Sequence, residues 1–178
     1  NVSFPEVADP DYADKVLDLL DETGVPAASL ELELTETAMM LDASVSLNNL
    51  NRLKLAGVRI VLDDFGTGFS SLSHLSDLPI TGIKLDRAFV TPLNHDDENS
   101  AQRHIVATML DLSKRLKLET TAEGIEDQSC LEVIHSLGCD RVQGYFYAQP
   151  MSVDKLIERA CVQESVLVDY ASGQQSLF

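Results

Sequence analysis

Tryptophan is absent from this 178-residue chain, aromatic residues make up only 6%, and basic residues are scarce. Thirteen Lys and Arg stand against 29 Asp and Glu, a formal net charge of −16. So acidic a surface repels polyanions, and no duplex nucleic acid is expected as a partner. The cysteines Cys130, Cys139 and Cys161 are odd in number and form no Cys-x-x-Cys pair. That argues against a disulfide scaffold and a zinc site, and for a reducing, cytoplasmic compartment. Long apolar runs are missing too. Nothing approaches the ~20 apolar residues of a membrane-spanning helix, and no signal-peptide pattern opens the chain. A membrane anchor elsewhere in a longer parent protein is compatible with these residues. What remains is an average globular balance, 44% hydrophobic and 24% charged, at the size of one domain. The first residue is Asn1 rather than Met, so the chain is expected to be part of something longer.

Helical periodicity alternates with short apolar runs. Asp9-Pro10 starts a helix with Tyr12, Val16, Leu19 and Leu20 on one face and Gly24 as its stop. "SLELEL" (29–34) reads as a strand. Asp42 is placed to cap a helix carrying Leu47, Leu50 and Leu53, ended by Gly57. "VRIVL" (58–62), "ITGIKL" (80–85), "LETTA" (118–122) and "DRVQGYF" (140–146) read as further strands. Helices are expected from Asn99 to Lys117, with Ile105, Met109, Leu112 and Leu116 on its apolar face, from Asp127 to Leu137, and from Ser152 to Ala160. Asn1 to Ser3 reads as the end of one more strand. Residues 163–178 form a tail expected to be partly disordered, with "ASGQQSLF" at its end. The repeated strand–helix units call for an α/β fold with a parallel sheet, open or closed into a barrel.

The chemistry is concentrated where the strands end. "LELEL" delivers Glu33, with Glu36 beyond it; "VRIVL" delivers Asp63 and Asp64; "ITGI" delivers Lys84 and then Asp86. "LETTA" delivers Glu123 and, one turn on, Glu126; "DRV" delivers Gln143; Asn1 ends whatever strand precedes it. In a parallel α/β architecture the C-terminal strand ends open onto one face, the face that binds ligands. Carboxylates crowded there raise one another's pKa unless cations intervene. A pair of hard divalent ions, Mg2+ or Mn2+, suits carboxylate and amide oxygens, and paired metals are a common device for cleaving phosphodiesters. The absence of His from the set disfavours zinc. Taken singly, each acidic residue is more often a helix cap or a solvated loop group. "DDFGTGFSS" (63–71) lacks the glycine spacing of a Walker or dinucleotide loop, and reads as a phosphate-cradling loop or a mobile lid.

In order and spacing, Asn1-Val2-Ser3, "ELTET" (33–37), "DDFGTGFSSLSHL" (63–75), "IKLDRAFV" (83–90), "AEGIED" (122–127) and "LGCDRVQGYFYAQPM" (137–151) resemble the motifs of the bacterial EAL domain family. The resemblance implies a modified TIM (β/α)8 barrel with one antiparallel strand, of which residues 1–162 are the C-terminal portion. It implies metal-dependent hydrolysis of cyclic di-GMP to linear pGpG. By resemblance, Asn1, Glu33 and Asp63 are ligands of a first metal, and Asp63, Asp64 and Glu123 of a second. Glu123 is also the candidate general base, Lys84 contacts the nucleophilic water or the phosphate, and Glu36 anchors the "DDFGTGFSS" loop. Gln143 and Glu126 complete the pocket, and Asp86 approaches the guanine or serves structure. The Glu-Ala-Leu motif itself, whose Glu is a first-metal ligand, is absent from this chain and in the family lies upstream of Asn1. The chain alone is therefore expected to bind metal poorly and to be inactive. The resemblance further implies a homodimer and fusion to sensory or GGDEF domains. The competing reading is a non-catalytic receptor that binds cyclic di-GMP or a protein without cleavage. Such relatives usually have damaged metal positions or a broken loop, and neither is seen here.

Overall fold

The computed structural model describes residues 1–35, 43–67, 75, 77–95 and 100–159. By internal contacts the chain divides into two units, Asn1–Tyr147 and Ala148–Phe178. In the second, the described helix spans 153–159, within the expected 152–160.

The first unit is built on a five-stranded, all-parallel sheet in the order β1-β2-β3-β4-β5. Its strands are β1 (Glu31–Thr35), β2 (Arg59–Phe65), β3 (Gly82–Leu85), β4 (Glu119–Glu123) and β5 (Arg141–Gln143). In this unit the described α-helices are α1 (Phe4–Val7), α2 (Tyr12–Thr23), α3 (Ala43–Leu55), α4 (Arg87–Val90), α5 (Ala101–Arg115) and α6 (Gln128–Ser136), with 3-10 turns at Ala27–Ser29 and Thr91–His95. Such a sheet, with strand order following chain order, has the architecture of an incomplete barrel wall. None of the described helices is long and apolar enough to cross a membrane.

Alternation along the strands separates two faces. Leu32, Leu34, Ile60 and Leu62 are buried against the helices, and β3 is buried along its whole length. The main core adds Val106 and Leu110 from α5 and Cys130 and Ile134 from α6. A smaller cluster joins Ala13, Leu32, Leu53 and Val58. Helix starts follow local chemistry: Ser100 accepts from the Arg103 amide at 3.1 Å, and Asp127 from the Cys130 amide at 2.9 Å.

Several expectations need correction. "DRVQGYF" is a strand only to Gln143. The chain turns after it, with Gly144 too close to the Ile125 backbone to admit a side chain and the Phe146 amide donating to the Ile125 carbonyl at 3.0 Å. The buried stripe of α5 is centred on Val106, Leu110 and Ser113, leaving Ile105 45% exposed. On α2 the inward residues are Ala13, Val16, Leu17 and Leu20, while Leu19 is exposed. Asn1–Ser3 forms no regular strand, but the Val2 amide donates to the Glu33 carbonyl at 2.9 Å and docks the segment beside β1. Asp42 as a cap, Asn99 as a helix start and the tail from 163 onward lie outside the described residues.

Candidate active site

Strand register sets which side chains share a face. Glu31 pairs with Arg59, Thr35 with Asp63, Lys84 with Thr121, and Glu123 with Gln143. Counting in twos from these pairs, one face carries Glu33, Asp63, Lys84, Glu123 and Gln143 at the C-terminal end of the strands. The same face carries Glu31, Arg59, Glu119 and Arg141 at the N-terminal end. A single period-two pattern therefore builds two polar layers.

Consecutive residues on a regular strand point to opposite sides, so Asp63 and Asp64 could not both serve one site. The β2–β3 register shifts between Leu62 and Phe65, and Asp64 has a left-handed backbone, φ 54°. This is a β-bulge, and it breaks the alternation that would turn the two carboxylates to opposite faces. Aspartate tolerates the left-handed region better than most residues. The Thr67 amide and hydroxyl both donate to the Asp64 carbonyl, at 3.2 and 2.9 Å, and close the turn.

Lys84 stands at the centre. Its Nζ lies 2.8 Å from Glu33 Oε1, 2.5 Å from Glu123 Oε1 and 3.4 Å from Asp63 Oδ1, and its side chain is only 6% exposed. Carboxylates from β1, β2 and β4 thus meet around one ammonium on β3. Burial disfavours the Lys84 charge. The hydrogen bonds to Glu123 and Glu33, with the charges of Glu123 and Asp63, outweigh it and hold the ammonium well above the usual lysine value. For Asp64, burial first and then the charges of Asp63 and Asp86 push its pKa up, against a weaker opposing pull from Lys84.

One cation among four acidic groups leaves the site with excess negative charge. Asp63 Oδ1 is buried and makes no hydrogen bond, since Lys84 at 3.4 Å is too far and too poorly aligned to satisfy it. An orphaned carboxylate oxygen among hard oxygen donors fits a divalent cation such as Mg2+ or Mn2+. Among the described residues, no three His, Cys, Asp or Glu side chains are grouped so as to hold an ion directly. The Lys84 ammonium stands among them instead.

The remaining expected site residues are less closely joined. Asn1 is exposed, next to the residue that bonds to the Glu33 backbone. Asp86 caps α4, accepting from the Ala88 amide at 2.9 Å. Gln143 is exposed at the end of β5, and Glu126 is exposed beyond β4. Glu36 and residues 68–71 of the glycine-rich loop lie outside the described residues. Sequence reasoning missed the ionic layer at the opposite end of the sheet. There Arg59 pairs with Glu31 at 3.1 Å and with Glu119, and Arg141 pairs with Glu119 at 2.5 Å and with Glu31 at 3.7 Å. Its signal was legible as charged residues two or four positions before the site residues of the same strands.

The fold agrees with known proteins. The sequence profile of the EAL domain matches residues 1–150. The chain is 38% identical over 157 residues to the bifunctional diguanylate cyclase/cyclic di-GMP phosphodiesterase MucR of Pseudomonas aeruginosa, covering 88% of this chain and 22% of that protein. Its fold is similar to the MucR phosphodiesterase solved in complex with c-di-GMP: TM-score 0.79, 36% identity, 88% of this chain and 68% of that one. It is also similar to Klebsiella pneumoniae BlrP1 solved with manganese and cyclic di-GMP: TM-score 0.71, 28% identity, 79% of this chain and 35% of that one. The chain spans 19% to 22% of the length of its MucR, Caulobacter vibrioides and Azorhizobium caulinodans relatives. Matched across most of its length, with Glu33, Asp63 and Glu123 gathered around Lys84 at its parallel strand ends, this chain belongs to the EAL domain family.

Proposed function

We propose that this chain supplies most of the catalytic face of a divalent-cation-dependent phosphodiesterase that opens cyclic di-GMP to linear pGpG. The observation that carries the reading is the buried Asp63 Oδ1 without a hydrogen bond, inside a ring of carboxylates that one lysine only partly neutralises. The names of MucR and the manganese complex of BlrP1 support the same substrate and a divalent ion.

Asn1, Glu33 and Asp63 would hold one cation, and Asp63, Asp64 and Glu123 a second, with Mg2+ or Mn2+ suiting the all-oxygen set. Bound there, the cations would stabilise charge building on the phosphoryl oxygens and make nearby water more acidic. Glu123 is the base that accepts a proton from the attacking water, its carboxylate oriented by the Lys84 ammonium. Lys84 donates hydrogen bonds toward the phosphate or the water. Glu36 steadies the glycine-rich loop, and Asp86, Glu126 and Gln143 contact the nucleotide. Residues 1–162 belong to the catalytic domain of a longer cytoplasmic protein. That protein bears further signalling domains, as the bifunctional name of MucR suggests, and it works as a homodimer.

Incubating the full-length protein with cyclic di-GMP and Mg2+ or Mn2+ tests this. Chromatography should show pGpG forming, and a chelator should stop it. Tight binding of cyclic di-GMP with no pGpG under any divalent ion would replace the hydrolase with a receptor.

A further inference from the structure

Gly66, two residues past Asp64, rests against two side chains that sequence reasoning assigned no role at the site. A Cβ there would stand 2.6 Å from Met109 Cε and 2.9 and 3.0 Å from Phe89 Cε2 and Cζ. Gly66 also has φ 96°, a conformation that favours glycine. The backbone therefore lies directly on a platform made by α4 and α5. Phe89 and Met109 are partly buried and packed against the main core, so the platform is continuous with the fold's rigid interior.

The platform is tied to the site by short covalent paths. Phe89 follows Lys84 by five residues, on the helix capped by Asp86. Its carbonyl accepts from Gln102 Nε2 of α5 at 3.1 Å, which joins the two helices. On the other side, Thr67 bonds to the Asp64 carbonyl through both its amide and its hydroxyl. The left-handed backbone of Asp64 is thus clasped between the Thr67 turn above and the Gly66 contact below. Backbone of that kind costs free energy and persists only where its surroundings over-determine it.

We propose that Phe89 and Met109 are positioning residues, a platform that holds Gly66 and so keeps the Asp64 carboxylate turned toward the cation site. The proposal rests on the phosphodiesterase reading for its purpose, but concerns cation affinity, which is measurable without turnover. Shortening Phe89 removes the ring under Gly66, so the turn has room to relax and Asp64 to swing away.

The test is Mn2+ affinity by isothermal titration calorimetry on the full-length protein, with pGpG formation measured in parallel. Phe89→Ala is expected to weaken Mn2+ binding roughly tenfold, the scale on which supporting residues tune metal sites. The variant should lower kcat, with KM for cyclic di-GMP little changed. Phe89→Leu, which keeps an apolar body beneath Gly66, should recover most of the affinity. Met109→Ala, which removes the other side chain against Gly66, should move affinity the same way by less. Should Phe89→Ala fail to fold, Met109→Ala decides, and wild-type Mn2+ affinity in Met109→Ala overturns the proposal. Folded Phe89→Ala with wild-type affinity overturns it too, while the hydrolase reading stands on the wild-type turnover. Wild type that binds Mn2+ yet makes no pGpG sinks the hydrolase reading and leaves the platform to be judged on affinity alone. No Mn2+ binding by the wild type overturns both.

Discussion

Replacing Lys84 by methionine keeps the aliphatic stem and removes the one charge on which three carboxylates converge. Deleting one partner of a buried ion pair typically costs about 3–5 kcal/mol, because the other charges stay behind uncompensated. Here Glu33, Asp63 and Glu123 keep between 15% and 22% exposure, so water screens part of the loss. About 2–3 kcal/mol is the expected cost after that discount. For a protein of this size that lowers the melting midpoint by roughly 4–12 °C. The folded pKa of Lys84 lies above its ordinary 10.5, so its stabilising contribution is complete below that value and fades only as pH rises further. The gap attributed to Lys84 is therefore level across neutral pH. The assay is a thermal melt of wild type and Lys84→Met with chelator, then with Mn2+. The cation should raise the variant's midpoint more than the wild type's, since it meets three carboxylates with no counter-charge. Equal midpoints in chelator, or equal Mn2+ shifts, would show that Lys84 does not hold this cluster together.

Asp63→Asn keeps the shape but removes the carboxylate charge whose Oδ1 makes no hydrogen bond, and should abolish pGpG formation and weaken Mn2+ binding at least tenfold by calorimetry. Asp64→Asn keeps a residue tolerant of the left-handed backbone and removes a carboxylate whose pKa burial and Asp63 raise. A raised acid destabilises the fold as pH climbs past its ordinary value of 3.8, so in chelator the variant should melt higher than wild type at neutral pH. That advantage should vanish near the acid end of a pH series, and Mn2+ should stabilise the variant less. Arg59→Met breaks two contacts of the ionic layer at the far end of the sheet and should cost about 1–2 kcal/mol, less at high salt, with kcat unchanged. Asp127→Ala removes the cap of α6 and should cost about 1 kcal/mol in a denaturant titration.

Strand positions and the identity of the carboxylate cluster were legible because both depend on local pattern. Branched apolar runs mark buried parallel strands, and Glu33, Asp63, Lys84 and Glu123 stand where such runs end. The short helices Phe4–Val7 and Arg87–Val90 escaped notice, because four residues carry too little periodicity to declare themselves. Ile105 and Leu19 were assigned inward because spacing alone does not fix the phase of an amphipathic stripe. Neighbouring elements choose it, and on α5 they chose Val106 and Leu110. The bulge at Asp63-Asp64 was equally hidden. A one-residue register shift comes from pairing with β3, which no local window contains. The central position of Lys84 likewise needed three strands in register before it had meaning.

The two polar layers on one sheet face differ in how completely their charges close. The lower layer sets two arginines against two glutamates, so its charges close among themselves, and it contributes to folding without a ligand. The upper layer sets one lysine against Glu33, Asp63, Glu123 and the adjacent Asp64, with Asp63 Oδ1 left unbonded. That imbalance costs stability when no cation is bound, and on the proposed reading the same imbalance favours binding one. Neutralising Asp64, the acid whose pKa burial and Asp63 raise, should therefore relieve the fold while removing function, whereas substitutions in the lower layer should weaken the fold and spare function. Opposite signs from two layers of the same strands separate a ligand site from structural ion pairing. A cluster that merely stitched strands together would lose stability in both places.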